Sequence, residues 1–315
     1  MLVPYIILLR SYSFINPVKY EIQERDGLIN DWIFNSLLNS PNSQSIAAAI
    51  LIFLQALMIT HLINRHKLNN VPASLVGLFY VVVVSSLKEF QQLSPQLIGL
   101  TFLIPVGYSV FSVYRRLNAT NLIFNSSLLI AIASFIYMPY ITAAIGVFIE
   151  IFVLRGFKLK ERLAFLGGLV VLYWILGSFL FYFQSTQFAS LYKFAIPGSL
   201  MGLLELPKIE IIKIVGFIFC SLIVFSSYYT YMKKKSIEGR KKISYFYWIL
   251  IMVFVSVAFF PDLNSFHMLF AAISLSALIS MNFLSMKNNS VAELLHILIL
   301  TGVFTIHYGD LLRIT

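Results

Sequence analysis

SIAAAILIFLQALMITHLIN, residues 45–64, is a run of twenty residues without a single Asp, Glu, Lys or Arg. A helix needs about 20 mostly apolar residues to cross the hydrocarbon core of a bilayer. The run stops at Arg65, His66 and Lys67, a basic flank of the kind found on the cytoplasmic side. Similar apolar runs occupy roughly 2–16, 71–87, 96–114, 122–138, 139–154, 163–184, 210–231, 243–260, 264–285 and 290–308. They are continuous rather than alternating, which argues against a β-barrel with its strands of about ten alternating residues. The expected fold is all-α: one polytopic membrane domain over residues 1–315, with about eleven transmembrane helices.

Composition agrees. Of 315 residues, 59% are hydrophobic and 11% charged, against about 25% charged in a soluble domain. Mean hydropathy is +0.85. A soluble enzyme, a disordered chain and a nucleic-acid-binding domain are all excluded, so the net charge of +10 needs another explanation than a nucleic-acid partner. Cys220 is the one cysteine, so no intramolecular disulfide forms and the redox compartment is not legible from pairing.

Two spans need argument. MLVPYIILLR, which opens the chain, has no basic region before its apolar stretch, and no A-x-A-like cleavage site follows. It reads as a short or tilted helix rather than a cleaved signal, or as the remnant of a longer helix. Pro139 lacks a backbone donor and disfavours helix before it, so it fits a tight outer turn between two spans.

Charge placement sets the orientation. Alternate loops carry Arg65, Lys67, Arg115, Arg116, Arg155, Lys158, Lys160, Arg162, the cluster KKKSIEGRKK at 233–242, and Lys287. That is fifteen basic residues against three acids, a balance of +12. The opposite loops hold seven basic residues against nine acids, a balance of −2. Arg10 and Glu150 lie inside spans and cancel. The first set is expected in the cytoplasm, which puts the N-terminus inside and the C-terminus in the periplasm. The 233–242 cluster reads first as a topology anchor, and as an anionic-lipid or partner site second.

Two outer loops are long. Residues 17–44, PVKYEIQERDGLINDWIFNSLLNSPNSQ, place Leu28, Trp32, Ile33 and Leu37 at helical spacing, as in a short helix lying in the interface. Residues 185–209 are apolar but broken by Pro197, Gly198, Gly202 and Pro207, which suggests an interfacial or re-entrant segment.

Chemistry is expected at the outer face. Glu21, Glu24, Arg25, Asp26 and Asp31 fall within eleven residues. A carboxylate there can act as a general base on a hydroxyl or amine, or else is simply solvated. Glu24 and Asp26 are the catalytic candidates. Arg10, Arg25, Asp31, His307 and Asp310 are the substrate-binding candidates, Arg10 as a grip for a phosphate or a partner for an outer carboxylate. Glu150 is a carboxylate inside a span, which is costly; its alternative is to reach towards Arg155 or nearby lysines. Glu293 and His296 form a single E-x-x-H, whereas a bundle metal site needs two such motifs and further Glu residues. The five histidines, His61, His66, His267, His296 and His307, do not make a metal site by spacing. No metal and no cofactor are expected, and no Walker A, G-x-S-x-G, H-E-x-x-H or dinucleotide motif occurs. Gly167-Gly168 reads as helix packing.

Residues 121–177, NLIFNSSLLIAIASFIYMPYITAAIGVFIEIFVLRGFKLKERLAFLGGLVVLYWILG, carry an F-x-x-S-x-x-I-x-x-A-S-x-x-Y pattern at Phe124, Ser127, Ile130, Ala133, Ser134 and Tyr137. A basic turn follows at Arg155, Phe157, Lys160 and Glu161. With the L-S-P segment in QQLSPQLIGLTFLI, 91–104, this resembles a family of uncharacterised multi-pass inner-membrane proteins of the Bacteroidota. The resemblance covers the chain to about residue 185. Longer members carry G-E-R-L…Y-x-D-x-W in the first outer loop, which is similar to membrane glycosyltransferases that use polyprenyl-phosphate sugars. Only Glu24, Arg25, Asp31 and Trp32 correspond here, at shorter spacing.

The resemblance implies a lipid-linked glycosyltransferase-like protein at the periplasmic face of the inner membrane, possessing or having lost activity. Its partners would be membrane lipids and a polyprenyl-phosphate lipid, with no nucleic acid. The alternative is a non-enzymatic subunit of an envelope or secretion assembly with protein partners there. A transporter ranks third, because the halves do not repeat and few charges lie at the midplane.

Overall fold

The computed structural model describes residues 2–21, 30, 33–69, 74–182, 208–232, 235–260 and 265–312. Among them the regular structure is helical throughout. The helices are α1 (Leu2–Leu9), α2 (Ser11–Ile15), α3 (Pro41–Arg65), α4 (Leu75–Val84), α5 (Pro95–Phe111), α6 (Thr120–Ile136) and α7 (Ala143–Leu154). They continue with α8 (Leu159–Tyr182), α9 (Lys208–Ser226), α10 (Tyr228–Met232), α11 (Ile237–Phe259), α12 (Ala272–Ser285) and α13 (Asn289–Leu312). Short 3-10 turns occupy Glu89–Gln91, Met138–Thr142 and Ser265–Ala271.

Four helical stretches are long and apolar enough to cross a membrane: Pro41–Arg65, Leu159–Phe179, Ser265–Ser285 and Asn289–Tyr308. Shorter apolar helices include Leu75–Val84, Pro95–Phe111 and Thr120–Ile136. This is an α-helical membrane protein. The turn at Pro139 is the 3-10 stretch that separates α6 from α7.

Local chemistry starts and stops these helices. Ser40 accepts from the Ser43 amide at 3.1 Å, and Pro41 follows it in the first turn of α3. Ser94 and Pro95 repeat the arrangement at α5. A serine N-cap satisfies a helix-end donor, and proline has no amide there to lose. At the far end of α3, Lys67 adopts φ 50°. Its amide bonds Asn64 O and the Leu68 amide bonds Ile63 O, the pairing of a Schellman cap.

Polarity is inverted relative to a soluble bundle. The interior holds Gln44, Gln55, Gln91, Gln96 and many serines beside Ile52, Tyr80, Tyr140 and Phe270. The exterior shows Trp174 at 74% exposure, with Ile212, Phe219, Leu294 and Ile297 also exposed. Where lipid tails are the solvent, small residues and interhelical hydrogen bonds hold helices together. Gln55 illustrates the point: it donates to Leu97 O and Thr101 Oγ1 and accepts from Tyr80 OH.

The quoted serine motif is one packing face of α6. Its spacings of three and four residues put Ser127, Ile130 and Ser134 on one side. Ser127 lies under Gly168 of α8. Ser134 meets Tyr173 OH at 2.5 Å. Tyr137 bonds His267 Nδ1 at 2.9 Å, and Ser256 Oγ lies 2.7 Å from the other ring nitrogen. Gly168 therefore packs as expected, while Gly167 faces open space.

Candidate functional site

Among the described residues, several basic side chains of one loop set lie close together, with Arg155 on the Arg116 backbone and Lys242 near His66 and Tyr114. Arg155 donates to Val113 O at 3.2 Å and to Arg116 O, and pairs with Glu161 at 2.8 Å. The Arg162 guanidinium sits 3.7 Å over the Phe152 ring. Lys242 pairs with Glu238 at 2.5 Å and donates to His66 Nδ1 at 3.3 Å. Glu150 is fully buried nearby on α7 and accepts from Ser244 Oγ at 2.8 Å. The expected reach from Glu150 to Arg155 is not made, because Arg155 is taken by Glu161 and by the end of α5.

His66 lies just past α3. Burial first, then Lys242 and Arg65, push it down to about 4. The folded protein thus holds it neutral while an unfolded chain protonates it near 6.5. Its stabilising contribution is complete above pH 6.5 and is lost as pH falls towards about 4. The unfolding midpoint of the native chain should therefore fall over that window more than that of His66→Gln. Parallel pH profiles of the two would contradict this.

Two of the substrate-binding candidates come together elsewhere in the fold. Arg10, between α1 and α2, is fully buried. It donates to Phe90 O at 3.2 Å and to Gln91 O. These carbonyls end the 3-10 turn Glu89–Gln91, where a cation is favoured. Gln91 Nε2 lies 3.2 Å from Leu9 O and 3.2 Å from His307 Nε2. Tyr12 stacks on His307 and meets Tyr308 edge-on, with Lys88 Nζ 5.7 Å from the centre of its ring. Glu89 pairs with Lys213 of α9 at 2.8 Å. Among the described residues, no carboxylate forms an ion pair with Arg10. The guanidinium and the imidazole thus face protein groups, not an open anion site. Asp310 lies in the last turns of α13, and its side chain is outside the described set.

Glu24, Arg25, Asp26 and Asp31 lie outside the described residues, as do Leu28, Trp32 and nearly all of 185–209. Their flanks are described. Tyr20 is buried against Phe34 and Phe266, and its amide bonds Gln44 Oε1 at 2.9 Å. Asn30 is fully buried and donates to Ile136 O at the end of α6 at 2.9 Å. Glu21 is exposed. Ile33–Leu37 forms a single π-type turn with Phe34 buried and Leu37 exposed. Tyr20 and Asn30, the described residues that flank the acidic positions, are thus each tied to a helix end.

Sequence reasoning passed over Gln91, Tyr12 and the Tyr137–His267–Ser256 chain. Gln91 was detectable as an amide flanking apolar spans, where a polar side chain requires a partner. Among the described residues, no three His, Cys, Asp or Glu side chains group as a metal site. His296 instead bonds Tyr5 OH at 2.9 Å. No family model, curated protein or solved structure matches the chain.

Proposed function

We propose that this chain is an eleven-span protein of the bacterial inner membrane, with its basic loops in the cytoplasm and its N-terminus inside. Its outer face acts on a polyprenyl-phosphate-linked sugar, with Glu24 or Asp26 as the base that deprotonates the acceptor hydroxyl. Arg25 and Asp31 contribute to substrate binding. Arg10 and His307 act from below, by fixing the 85–91 backbone and the end of α13. The observation that carries this reading is that Tyr20 and Asn30, on either side of Glu24, Arg25 and Asp26 in the sequence, are both buried and hydrogen-bonded to helix ends. Anchoring holds catalytic groups in place and lowers the entropy cost of reaching the transition state.

The test is sugar transfer from a polyprenyl-phosphate donor in proteoliposomes. Glu24→Gln with Asp26→Asn should remove transfer by at least about 100-fold, the usual share of general-base catalysis. Turnover at the native rate in the double variant would reject the assignment.

A second reading, a non-enzymatic envelope subunit, is favoured by the way Arg10 and Gln91 hold backbone carbonyls and Gln91 meets His307, although Arg10 Nε and Gln91 Oε1 are left without a partner. Gentle purification would then yield a stoichiometric partner and no transfer.

A further inference from the structure

A groove of about 590 Å³ opens on the flank of the bundle, between α3, α5 and α6. Small-molecule sites span roughly 300–1,000 Å³. Its deeper wall is apolar: Met58, Pro105, Leu128 and Leu129. Tyr108 closes one side. Its hydroxyl is already satisfied by Met58 O at 2.6 Å, and His61 stacks on its ring.

The polar groups of the groove sit towards helix ends. Arg65 is the last residue of α3, Ser109 is near the end of α5, and Asn125 is in the second turn of α6. By helix rise, Asn125 is about 7–8 Å along from Thr120. Arg65 and Asn125 are exposed. Among the described residues, none of these three side chains makes a hydrogen bond or ion pair. Polar side chains at or near the ends of spans meet the head-group layer. Three of them at one end of an otherwise apolar groove call for a ligand with a polar head and an apolar tail.

The charge of the head follows from the rim. Arg65 has Lys67 just beyond it, and Arg115 and Arg116 follow the end of α5. No acidic side chain lines the groove. Basic pockets between membrane helices bind anionic lipid head groups.

We propose that this groove binds an anionic glycerophospholipid. Arg65 holds the phosphate, Asn125 donates to an ester carbonyl, and one acyl chain lies along Met58, Pro105 and Leu129. The groove shares no residue with the proposed transfer site, so it stands or falls independently of sugar transfer.

The two polar contacts predict different specificities. Native mass spectrometry of the detergent-purified protein would be titrated with phosphatidylglycerol, phosphatidylcholine and a polyprenyl phosphate. The native chain should retain phosphatidylglycerol most strongly. Arg65→Gln, an exposed helix-end change that leaves folding intact, should weaken phosphatidylglycerol about fivefold and phosphatidylcholine clearly less, because choline already offsets the charge of its phosphate. Asn125→Leu should weaken both phospholipids alike, because both carry the ester. Equal retention of the two phospholipids by the native chain, or unchanged retention in both variants, would overturn the proposal. So would preferential retention of the polyprenyl phosphate.

Discussion

Arg10→Met should destabilise the protein by about 3–5 kcal/mol, measured as the change in unfolding free energy in detergent. The replacement keeps bulk and apolar stem but removes every donor. Phe90 O and Gln91 O then lose their partner. Each buried acceptor left without a donor costs about 1–3 kcal/mol. Gln91, which also holds Leu9 O and lies against His307, loses its fixed backbone. Arg10→Lys should recover about half, since an ammonium is a compact point charge without the planar fork. A loss below about 1 kcal/mol for Arg10→Met would mean that the guanidinium has no structural role.

The second large effect is at the α6–α8 contact. A Cβ on Gly168 would lie 2.6 Å from Phe124 O and closer still to Ser127 Oγ. Backbone oxygen cannot move aside without displacing the whole helix. Gly168→Val should therefore cost about 3 kcal/mol or more, at the upper end of overpacking effects. Gly167→Val is the control. Nothing lies within 4 Å of its added Cβ, so it should stay within about 0.5 kcal/mol of the native chain. Equal effects from the two neighbours would show that the helices are not in contact there.

The residues differ in how far the sequence announced them. Hydropathy marks runs such as 45–64 because the solvent outside and the length of the path are both fixed by the bilayer. Each of the segments expected to span contains a helix in its described part, though the one expected over 71–87 is helical only at Leu75–Val84. The motif from Phe124 to Tyr137 announces a helix face by its spacing, but spacing alone does not say whether that face packs or reacts. The contacts of Ser127, Ser134 and Tyr137 with α8 and His267 make it a packing face. Arg10 is conspicuous as a charge in a span, yet its acceptors are eighty residues away on a turn that no local pattern joins to it. Glu150 is the same: Ser244 is 94 residues on. Glu24, Asp26, Arg25 and Asp31 stand on composition and resemblance, supported by the burial of Tyr20 and Asn30 beside them.

Helix α4 has ten residues and is therefore about 15 Å long, about half the roughly 30 Å that a hydrocarbon core measures. It is sheathed by neighbours, with Val76, Tyr80, Val81 and Val84 fully buried. Beyond it the backbone turns irregular, and Ser85, Phe90, Gln91 and Ser94 remain buried. Irregular backbone at membrane depth is tolerated only inside protein. The guanidinium of Arg10 supplies to that backbone the donors that further turns of helix would have supplied. One side chain thus ties down the irregular backbone that follows the shortest of the apolar helices of ten residues or more. Where such a helix meets a bilayer, a mismatch between lipid and protein thickness falls on it before its longer neighbours.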